Sequence, residues 1–280
     1  MKKIKRTLKL YLPFAKGGIA TELSYKAQII MWLGISFAEV FFILFLYRAI
    51  YESHADGICA TINGFTFNDM VIYMITSFIF SFVMGGGDTS YNIYTDIREG
   101  TIANTLTKPV SYRIRHLSTY LGMVVLEIAI MLPLMALTYG ISIGFGLFKT
   151  GVWEFITNLV FFFIFTVLGC FLNDAISYFI GMLVFFTDHL FGLNMARTAL
   201  QGFLSGKMVP LAYMGTVGVV FSFTPFAFLG SVPVLTLMGK VAFSEIIVYI
   251  LVALVWIAVI ELINHLIFSY AIKKLTVQGG

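Results

Sequence analysis

One serine and one histidine of this chain could together perform nucleophilic chemistry. Ser205 stands in the run Gly-Phe-Leu-Ser-Gly at 202–206, and His265 lies in a later apolar segment. Such a pair is the minimum for nucleophilic catalysis, but rhomboid-like intramembrane proteases carry Gly-x-Ser-Gly rather than Gly-x-x-Ser-Gly. The apolar segments also place the two residues at opposite faces of a membrane, so we do not expect a hydrolase. The sequence has no His-Glu-x-x-His motif, and neither a metalloprotease nor a metal site is expected.

A phosphate-binding loop is not expected either. The glycine-rich run Gly-Gly-Gly-Asp-Thr at 85–89 lies in an apolar stretch and lacks the lysine of the Gly-x-x-x-x-Gly-Lys-Ser/Thr motif. That motif occurs nowhere in the sequence. If the protein depends on ATP, the nucleotide binds to another chain.

The composition is that of an integral membrane protein. Of the 280 residues, 59% are apolar and 11% are charged, and the mean hydropathy is +0.94. Soluble domains have roughly a quarter charged residues, so too few charges remain to cover a globule of this size.

The net charge of +4 does not indicate binding to nucleic acid, because the lysines and arginines stand at the ends of apolar runs. Cys59 lies in a polar loop and Cys170 in an apolar run, so nothing suggests that they pair.

The apolar runs predict a single all-α membrane domain over 1–280 with six transmembrane helices. The predicted spans cover about 28–50, 70–91, 118–145, 153–186, 190–208 and 243–268. The fourth run is ambiguous, because one helix over 153–186 would be about 51 Å long and Asn173-Asp174 could divide it in two. We favour one long helix, followed by a small cytosolic turn at 187–189. The loop around Lys149 would be external.

Three further segments flank or interrupt these spans. Residues 1–27 carry seven basic residues around apolar residues at four-residue spacing, which predicts an amphipathic helix on the inner leaflet rather than a frayed basic tail. Residues 209–242 hold prolines and glycines among apolar residues, which predicts short re-entrant helices in the outer leaflet, buried in protein. The lysines at 273 and 274 place the carboxyl terminus in the cytosol, and the amino terminus is expected there too.

A polar, basic island at 92–117 separates two long apolar runs. In a protein this hydrophobic the island must lie in water, and its positive charge places it in the cytosol. It opens with the charged residues Asp96, Arg98 and Glu99. A compact cytosolic segment of this kind offers a surface that a soluble partner can bind and displace. The alternative is an ordinary solvated loop with local ion pairs.

Motifs in three parts of the chain occur in a specific order. The island contains Ile-Arg-Glu-Gly-Thr-Ile at 97–102 and Leu-Thr-Lys-Pro-Val-Ser at 106–111. Later come Leu-Ser-Gly-Lys-Met-Val-Pro-Leu at 204–211, Thr-Pro-Phe at 224–226 and the closing Val-Gln-Gly-Gly at 277–280. Together they resemble permeases of the ABC-2 type, the membrane halves of ATP-binding-cassette exporters, and in particular a multidrug- and antimicrobial-export-like subfamily. One departure is Phe-Phe where that subfamily usually has Phe-Trp, just before the expected cytosolic turn.

The resemblance implies a six-helix permease that forms a dimer in the membrane with an identical or a related permease. Two copies of a cytosolic ATPase would drive it. The permease would hold no cofactor, and ATP and Mg²⁺ would bind to the ATPase. The expected location is the bacterial cytoplasmic membrane. The expected cargo is amphipathic or lipid-like, such as a drug, a peptide or a lipid-linked molecule.

The resemblance also implies that the island holds a coupling helix, which docks in a cleft of the ATPase. The residues expected to take part are Asp96, Ile97, Arg98, Glu99, Gly100, Lys108 and Pro109. The charges would pair across the interface, and Gly100 would end the helix or permit close approach.

Ionisable residues inside the spans are costly and by default face the bundle interior or a wet cavity. Glu39, Glu127 and Arg197 are therefore candidates for the pathway or for helix packing. Glu39 could contact a cationic cargo or a partner such as Arg197. Glu261 lies near the cytosolic end of its span, where packing is expected.

Small residues mark two further places. The glycines of the second span could pack closely at a dimer seam or could kink the helix. They are Gly85, Gly86 and Gly87. The outer end of the fifth span is a candidate outer gate, unless it is only a helix end with a turn. Its residues are Ser205, Gly206, Lys207 and Pro210.

The rival from another class is a secondary transporter or channel that needs no ATPase. Such a protein would usually show a repeated half, and the sequence shows none.

Overall fold

The computed structural model describes residues 2–146, 151–187 and 189–273, leaving aside the side chains of residues 2–8 and 26. This described part of the chain is nearly all helical and contains no β-strand. Its helices are α1 (Lys2–Ser24), α2 (Lys26–Glu52), α3 (Phe67–Gly85), α4 (Thr89–Arg98), α5 (Thr101–Leu106), α6 (Tyr112–Gly144), α7 (Val152–Thr187), α8 (Phe191–Leu204), α9 (Thr216–Ser222), α10 (Ser231–Leu237) and α11 (Phe243–Lys273). The expected loop around Lys149, the turn residue Asp188 and the closing motif at 277–280 lie outside the described residues.

Within the described ranges, five segments are long and apolar enough to cross a membrane. They are Ala27–Glu52, Phe67–Arg98, Tyr112–Gly144, Val152–Thr187 and Phe243–Lys273. The helix α7 runs unbroken through Asn173, which confirms a single long fourth helix. The predicted fifth span over 190–208 is instead the 14-residue α8. Because α8 is about 21 Å long and a hydrocarbon core is about 30 Å thick, the count of six spans remains a prediction.

The helices α7 and α11 pack side by side and run in the same direction. The contacts that fix this direction are Phe161–Phe243 (ring centroids 5.7 Å apart), the Ala175 carbonyl with the Asn264 amide (3.0 Å) and Phe186–Tyr270 (5.9 Å). The chain between α7 and α11 must therefore return from one end of α7 to the other. It does so through α8, α9, α10 and two 3₁₀ turns.

Short helices occupy the predicted re-entrant segment 209–242. All seven residues of α10 are buried. The backbone before α10 approaches α7 closely, because a Cβ at Gly169 would lie 2.8 Å from the Phe228 carbonyl oxygen. Irregular backbone is tolerated at membrane depth only where protein covers it. Residues 227–238 are buried, whereas α9 exposes Val217, Val219 and Val220. The position of the segment 209–242 in the outer leaflet remains a prediction.

The second span is kinked at its glycine run. The helix α3 ends at Gly85, and Gly87 has φ = +58°, a left-handed conformation that favours glycine. Asp88 then starts α4 by accepting a hydrogen bond from the Ser90 N–H at 3.0 Å. Of the two roles considered for the glycines, the kink is confirmed. The helix α4 continues to Arg98, seven residues beyond the predicted end of the span at residue 91, and where this segment leaves the membrane remains a prediction.

The middle glycine of this run packs within the chain. A Cβ at Gly86 would overlap the Glu127 carboxylate of α6, whereas Gly85 has open space around it. Close packing therefore occurs between α6 and the α3–α4 break. A role of these glycines at a dimer seam remains a prediction.

The helix α1 packs along the first half of α6, and two glycines permit the close approach. A Cβ at Gly18 would overlap the Thr119 carbonyl oxygen, and one at Gly122 would overlap the Ala15 carbonyl oxygen. The predicted amino-terminal helix is therefore present and attached to α6. Its position on the inner leaflet remains a prediction.

Gly18→Ala should lower the melting temperature of the purified protein, whereas Gly17→Ala should not. The added methyl at Gly18 would force two backbones apart, which costs about 1–3 kcal/mol and lowers the midpoint by roughly 2–12 °C. Gly17 is exposed with open space around it, so alanine there only improves helix propensity. Thermal unfolding followed by tryptophan fluorescence compares the two variants. Equal midpoints would show that α1 and α6 do not touch at Gly18.

Candidate functional site

The predicted cytosolic island folds as the end of α4, the short helix α5 and the start of α6. The helix α4 ends at Arg98, and Gly100 follows with φ = +71°, the left-handed conformation common just after a helix. Ser111 starts α6 by accepting a hydrogen bond from the Ile114 N–H at 3.5 Å. The island therefore presents a separate short helix between two turns.

Most of the expected coupling residues face outward. The exposed ones are Arg98, Glu99, Gly100, Lys108 and Pro109. Ile97 is half-buried and packs against a small apolar cluster that includes Ile102 of α5. The apolar side of the island therefore holds it to the protein, and its charged side is open to a partner.

Asp96 is tied inward, unlike the exposed charges beside it. Its carboxylate accepts hydrogen bonds from the Tyr112 hydroxyl at 3.0 Å, from the Thr101 hydroxyl at 3.1 Å and from the Arg115 guanidinium. Nε2 of His116 lies 3.5 Å from the same carboxylate. These contacts fasten the end of α4 to the first residues of α5 and α6.

Arg113 joins α6 to three other helices. Its guanidinium donates to Asp174 of α7 at 2.5 Å and, from Nε at 3.1 Å, to both carboxylate oxygens of Glu261 of α11. Its Cζ lies 4.6 Å from the centre of the Tyr178 ring. The Asp174 side chain is fully buried and also accepts a hydrogen bond from the Thr89 hydroxyl of α4 at 2.6 Å. One buried ionic network therefore holds α4, α6, α7 and α11 together.

Asp88 forms a second polar cluster at the α3–α4 break. Its Oδ1 accepts hydrogen bonds from the Ser90 N–H (3.0 Å), the Ser90 hydroxyl (2.5 Å) and the Ser177 hydroxyl (2.9 Å). Its Oδ2 accepts from the Asn194 amide at 2.7 Å. Nη2 of Arg197 lies 4.0 Å from Oδ1. The cluster joins the break to α7 and α8.

Glu39 pairs with Lys207 and not with Arg197, the partner considered from the sequence. Lys207 Nζ lies 3.1 Å from Glu39 Oε2 and 4.3 Å from the centre of the Phe78 ring. Both charged side chains are partly exposed, so the pair lies on an accessible face of α2. A role of Glu39 in the pathway remains a prediction.

The candidate outer-gate segment, residues 205–210, lies beside the middle of α3. The Tyr73 hydroxyl donates to the Gly206 carbonyl at 2.6 Å, and the Ser77 hydroxyl donates to the Lys207 carbonyl at 3.1 Å. The segment is therefore attached to α3 by its backbone. Its function as a gate remains a prediction.

Glu127 lies at the junction of α1, α6 and the α3–α4 break. Its side chain is buried, and Oε2 has no hydrogen-bond partner among the described residues. Glu22 of α1 lies close enough to interact with it electrostatically, and partial burial raises the pKa of Glu22 above its ordinary value. A role of Glu127 in the pathway or in helix packing remains a prediction.

The sequence interpretation missed the role of Arg113, which it counted only as one basic charge of the island. A signal was present, because Asp174 and Glu261 are carboxylates in predicted spans and such groups need cationic or hydrogen-bonding partners. It also missed the Asp88 cluster, because the run at 85–89 indicates close packing or a kink but not which side chains meet Asp88. Which charges meet depends on tertiary contacts between residues 61 and 148 positions apart.

The helices and the island define a class of protein, a multi-pass helical membrane protein with a helical connection between its second and third spans. The chain matches the family model described as ABC-2 family transporter protein over residues 37–279. Since the match covers most of the chain, the protein belongs to this family of ABC transporter permeases. It is a transmembrane component of a transport system. A comparison with curated proteins finds no match.

Proposed function

We propose that the chain is the membrane-spanning permease subunit of an ATP-binding-cassette exporter. It moves an amphipathic or lipid-like cargo across the bacterial cytoplasmic membrane. Two permease chains, identical or related, form the pathway, and two copies of a cytosolic ATPase bind and hydrolyse ATP with Mg²⁺. In this arrangement the chain crosses six times, with the segment 190–208 that contains α8 as the fifth crossing and the short helices over 209–242 in the outer leaflet, and both termini lie in the cytosol.

The island is the observation that carries the proposal. It presents exposed charges next to a short helix, and buried contacts anchor it to the membrane helices. A segment that is both exposed and firmly anchored can be displaced by a docked partner and can transmit that displacement to the membrane helices. A freely solvated loop could not.

The ionic contacts connect the island to the membrane helices that this displacement would move. Displacement of α5 would act on α4 and α6 through the Asp96 contacts, because these join all three elements. Arg113 would then act on α7 and α11 through Asp174 and Glu261. ATP-driven closure of the ATPase pair would in this way shift the membrane dimer between inward-open and outward-open states.

Co-purification tests the proposal. The permease is expressed together with candidate ATP-binding-cassette ATPases from neighbouring genes, solubilised in detergent and isolated by a tag on the permease alone. We expect the ATPase to elute with the permease and candidate amphipathic cargoes to stimulate ATP hydrolysis. Cargo movement in vesicles that contain only the permease would favour the secondary-transporter alternative and overturn the proposal.

A further inference from the structure

We propose that Arg197 binds the phosphate group of an anionic amphipathic molecule at the inner boundary of the membrane. The inference deepens the proposed function, and it rests on that function for the orientation of the chain. It names one chemical feature, an anionic phosphate, of a molecule that approaches the permease from the inner leaflet.

Arg197 is a largely buried cation with too few acceptors. Its side chain is 15% exposed, and its Nε has no hydrogen-bond partner in the part of the chain that the structure describes. Its Nη2 lies 4.0 Å from Asp88 Oδ1, which is beyond hydrogen-bond distance. A guanidinium carries five N–H donors and cannot lose its charge. An acceptor from outside the chain would therefore stabilise this site.

Asp88 cannot serve as that acceptor without giving up other contacts. Its Oδ1 already accepts three hydrogen bonds, two from Ser90 and one from Ser177, and its Oδ2 accepts one from Asn194. Asp88 therefore supplies a nearby negative charge but not the paired oxygens that a planar guanidinium binds best. Phosphate oxygens fit such a guanidinium and form charge-assisted hydrogen bonds with it.

The surface of α8 suits an amphipathic molecule. Asn194, Arg197 and Gln201 stand at i, i+3 and i+7 and share one face of the helix. Large apolar side chains of the same helix are exposed, among them Phe191 at 78% and Phe203 at 62%. A phosphate held at Arg197 would thus have apolar surface beside it for an acyl chain.

The site lies at the depth of the inner headgroups. Asp88 follows Phe67, the first residue of α3, by 21 positions, or about 30 Å along the helical path. This distance equals the thickness of the hydrocarbon core. With the loop before α3 outside, Asp88 and Arg197 lie where lipids of the inner leaflet carry their phosphates.

Native mass spectrometry of the purified permease, without ATPase, tests the site. Phosphatidylglycerol and diacylglycerol, which has the same acyl chains but no phosphate, are titrated onto the wild type, Arg197→Gln and Arg197→Lys. We expect the wild type to prefer phosphatidylglycerol and Arg197→Gln to bind it about tenfold more weakly, whereas Arg197→Lys keeps part of the preference. The control is Arg48→Gln, which removes an exposed arginine paired with Glu52 and should change nothing.

Equal binding of the two lipids by the wild type would overturn the proposal, and this comparison needs no variant to fold. Undiminished phosphatidylglycerol binding by Arg197→Gln would also overturn it. Competition by inorganic phosphate identifies the source of the phosphate. Displacement of the lipid shows that the phosphate group alone is recognised, and lack of displacement shows that the acyl chains contribute, so both results support the site. Because the ATPase is absent, failure of the co-purification would refute the proposed function and leave this result interpretable.

Discussion

Glu99→Arg and Gly100→Trp should each reduce cargo-stimulated ATP hydrolysis to the basal rate. Both residues are exposed at the turn between α4 and α5, where the proposed ATPase cleft would close around them. Charge reversal at Glu99 would replace attraction by repulsion, and an indole at Gly100 would obstruct docking. Within the permease itself, a Cβ at Gly100 meets open space, but the left-handed backbone there (φ = +71°) costs tryptophan about 1–2 kcal/mol. Membrane insertion should therefore persist in both variants, and the melting temperature should fall slightly for Gly100→Trp and change little for Glu99→Arg.

The measurement is ATP hydrolysis by the co-purified complex with and without candidate cargoes. Gly100→Asn is the matched control, because asparagine adopts the left-handed backbone of Gly100 at little cost and adds only a small side chain. It should keep most of the stimulation. Normal stimulation in both Glu99→Arg and Gly100→Trp would mean that the turn does not contact the ATPase.

Arg113→Met should destabilise the permease more than Gly18→Ala, Glu99→Arg or Gly100→Trp. The substitution leaves the fully buried Asp174 without its cation, and breaking a buried ion pair in this way costs about 3–5 kcal/mol. The melting midpoint should fall by roughly 6–20 °C. The remaining folded protein should show weak cargo stimulation, because the link from α6 to α7 and α11 is lost.

Two further variants separate this effect from a general loss of charge. Arg98→Met removes an exposed arginine that donates a hydrogen bond to Tyr94, and should cost less than about 1 kcal/mol. Adding Asp174→Asn to Arg113→Met removes the uncompensated carboxylate and should restore part of the lost stability. Equal melting temperatures for Arg113→Met and Arg98→Met would refute a structural role of the network.

The membrane class and the long helices could be predicted because an apolar run long enough to cross a bilayer is seldom found in a soluble protein. The single helix over 153–186 followed from the same reasoning, and Asn173 does not break it because its side-chain amide donates a hydrogen bond to the Tyr120 hydroxyl at 3.1 Å. The length of α8 could not be predicted. The run 190–208 is mostly apolar, yet Gly206 with φ = +75° turns the chain after the helix ends at Leu204.

The pairing of the charged residues could not be predicted from the sequence, for a different reason. A carboxylate in a span predicts that some partner exists, but not which one. Glu39 could equally have met Arg197 or Lys207, since both follow α7 within a short stretch. The structure selects Lys207 because the chain after α8 attaches its backbone to α3, beside Phe78.

Thiol labelling in intact cells tests most directly whether the island lies in the cytosol and docks an ATPase. Asn104 is exposed on α5 and is changed to cysteine in a background with Cys59→Ser and Cys170→Ala. A second protein keeps only the exposed Cys59, which lies in the loop expected outside. Both are treated with a membrane-impermeant maleimide, in cells and in inverted vesicles.

The predicted result is that intact cells label Cys59 and leave the Asn104→Cys thiol unmodified. Inverted vesicles should show the opposite pattern, and added ATPase should protect the Asn104→Cys thiol. Modification of that thiol in intact cells would contradict a cytosolic coupling segment, and with it the transmission of work from an ATPase through α5 to the membrane helices.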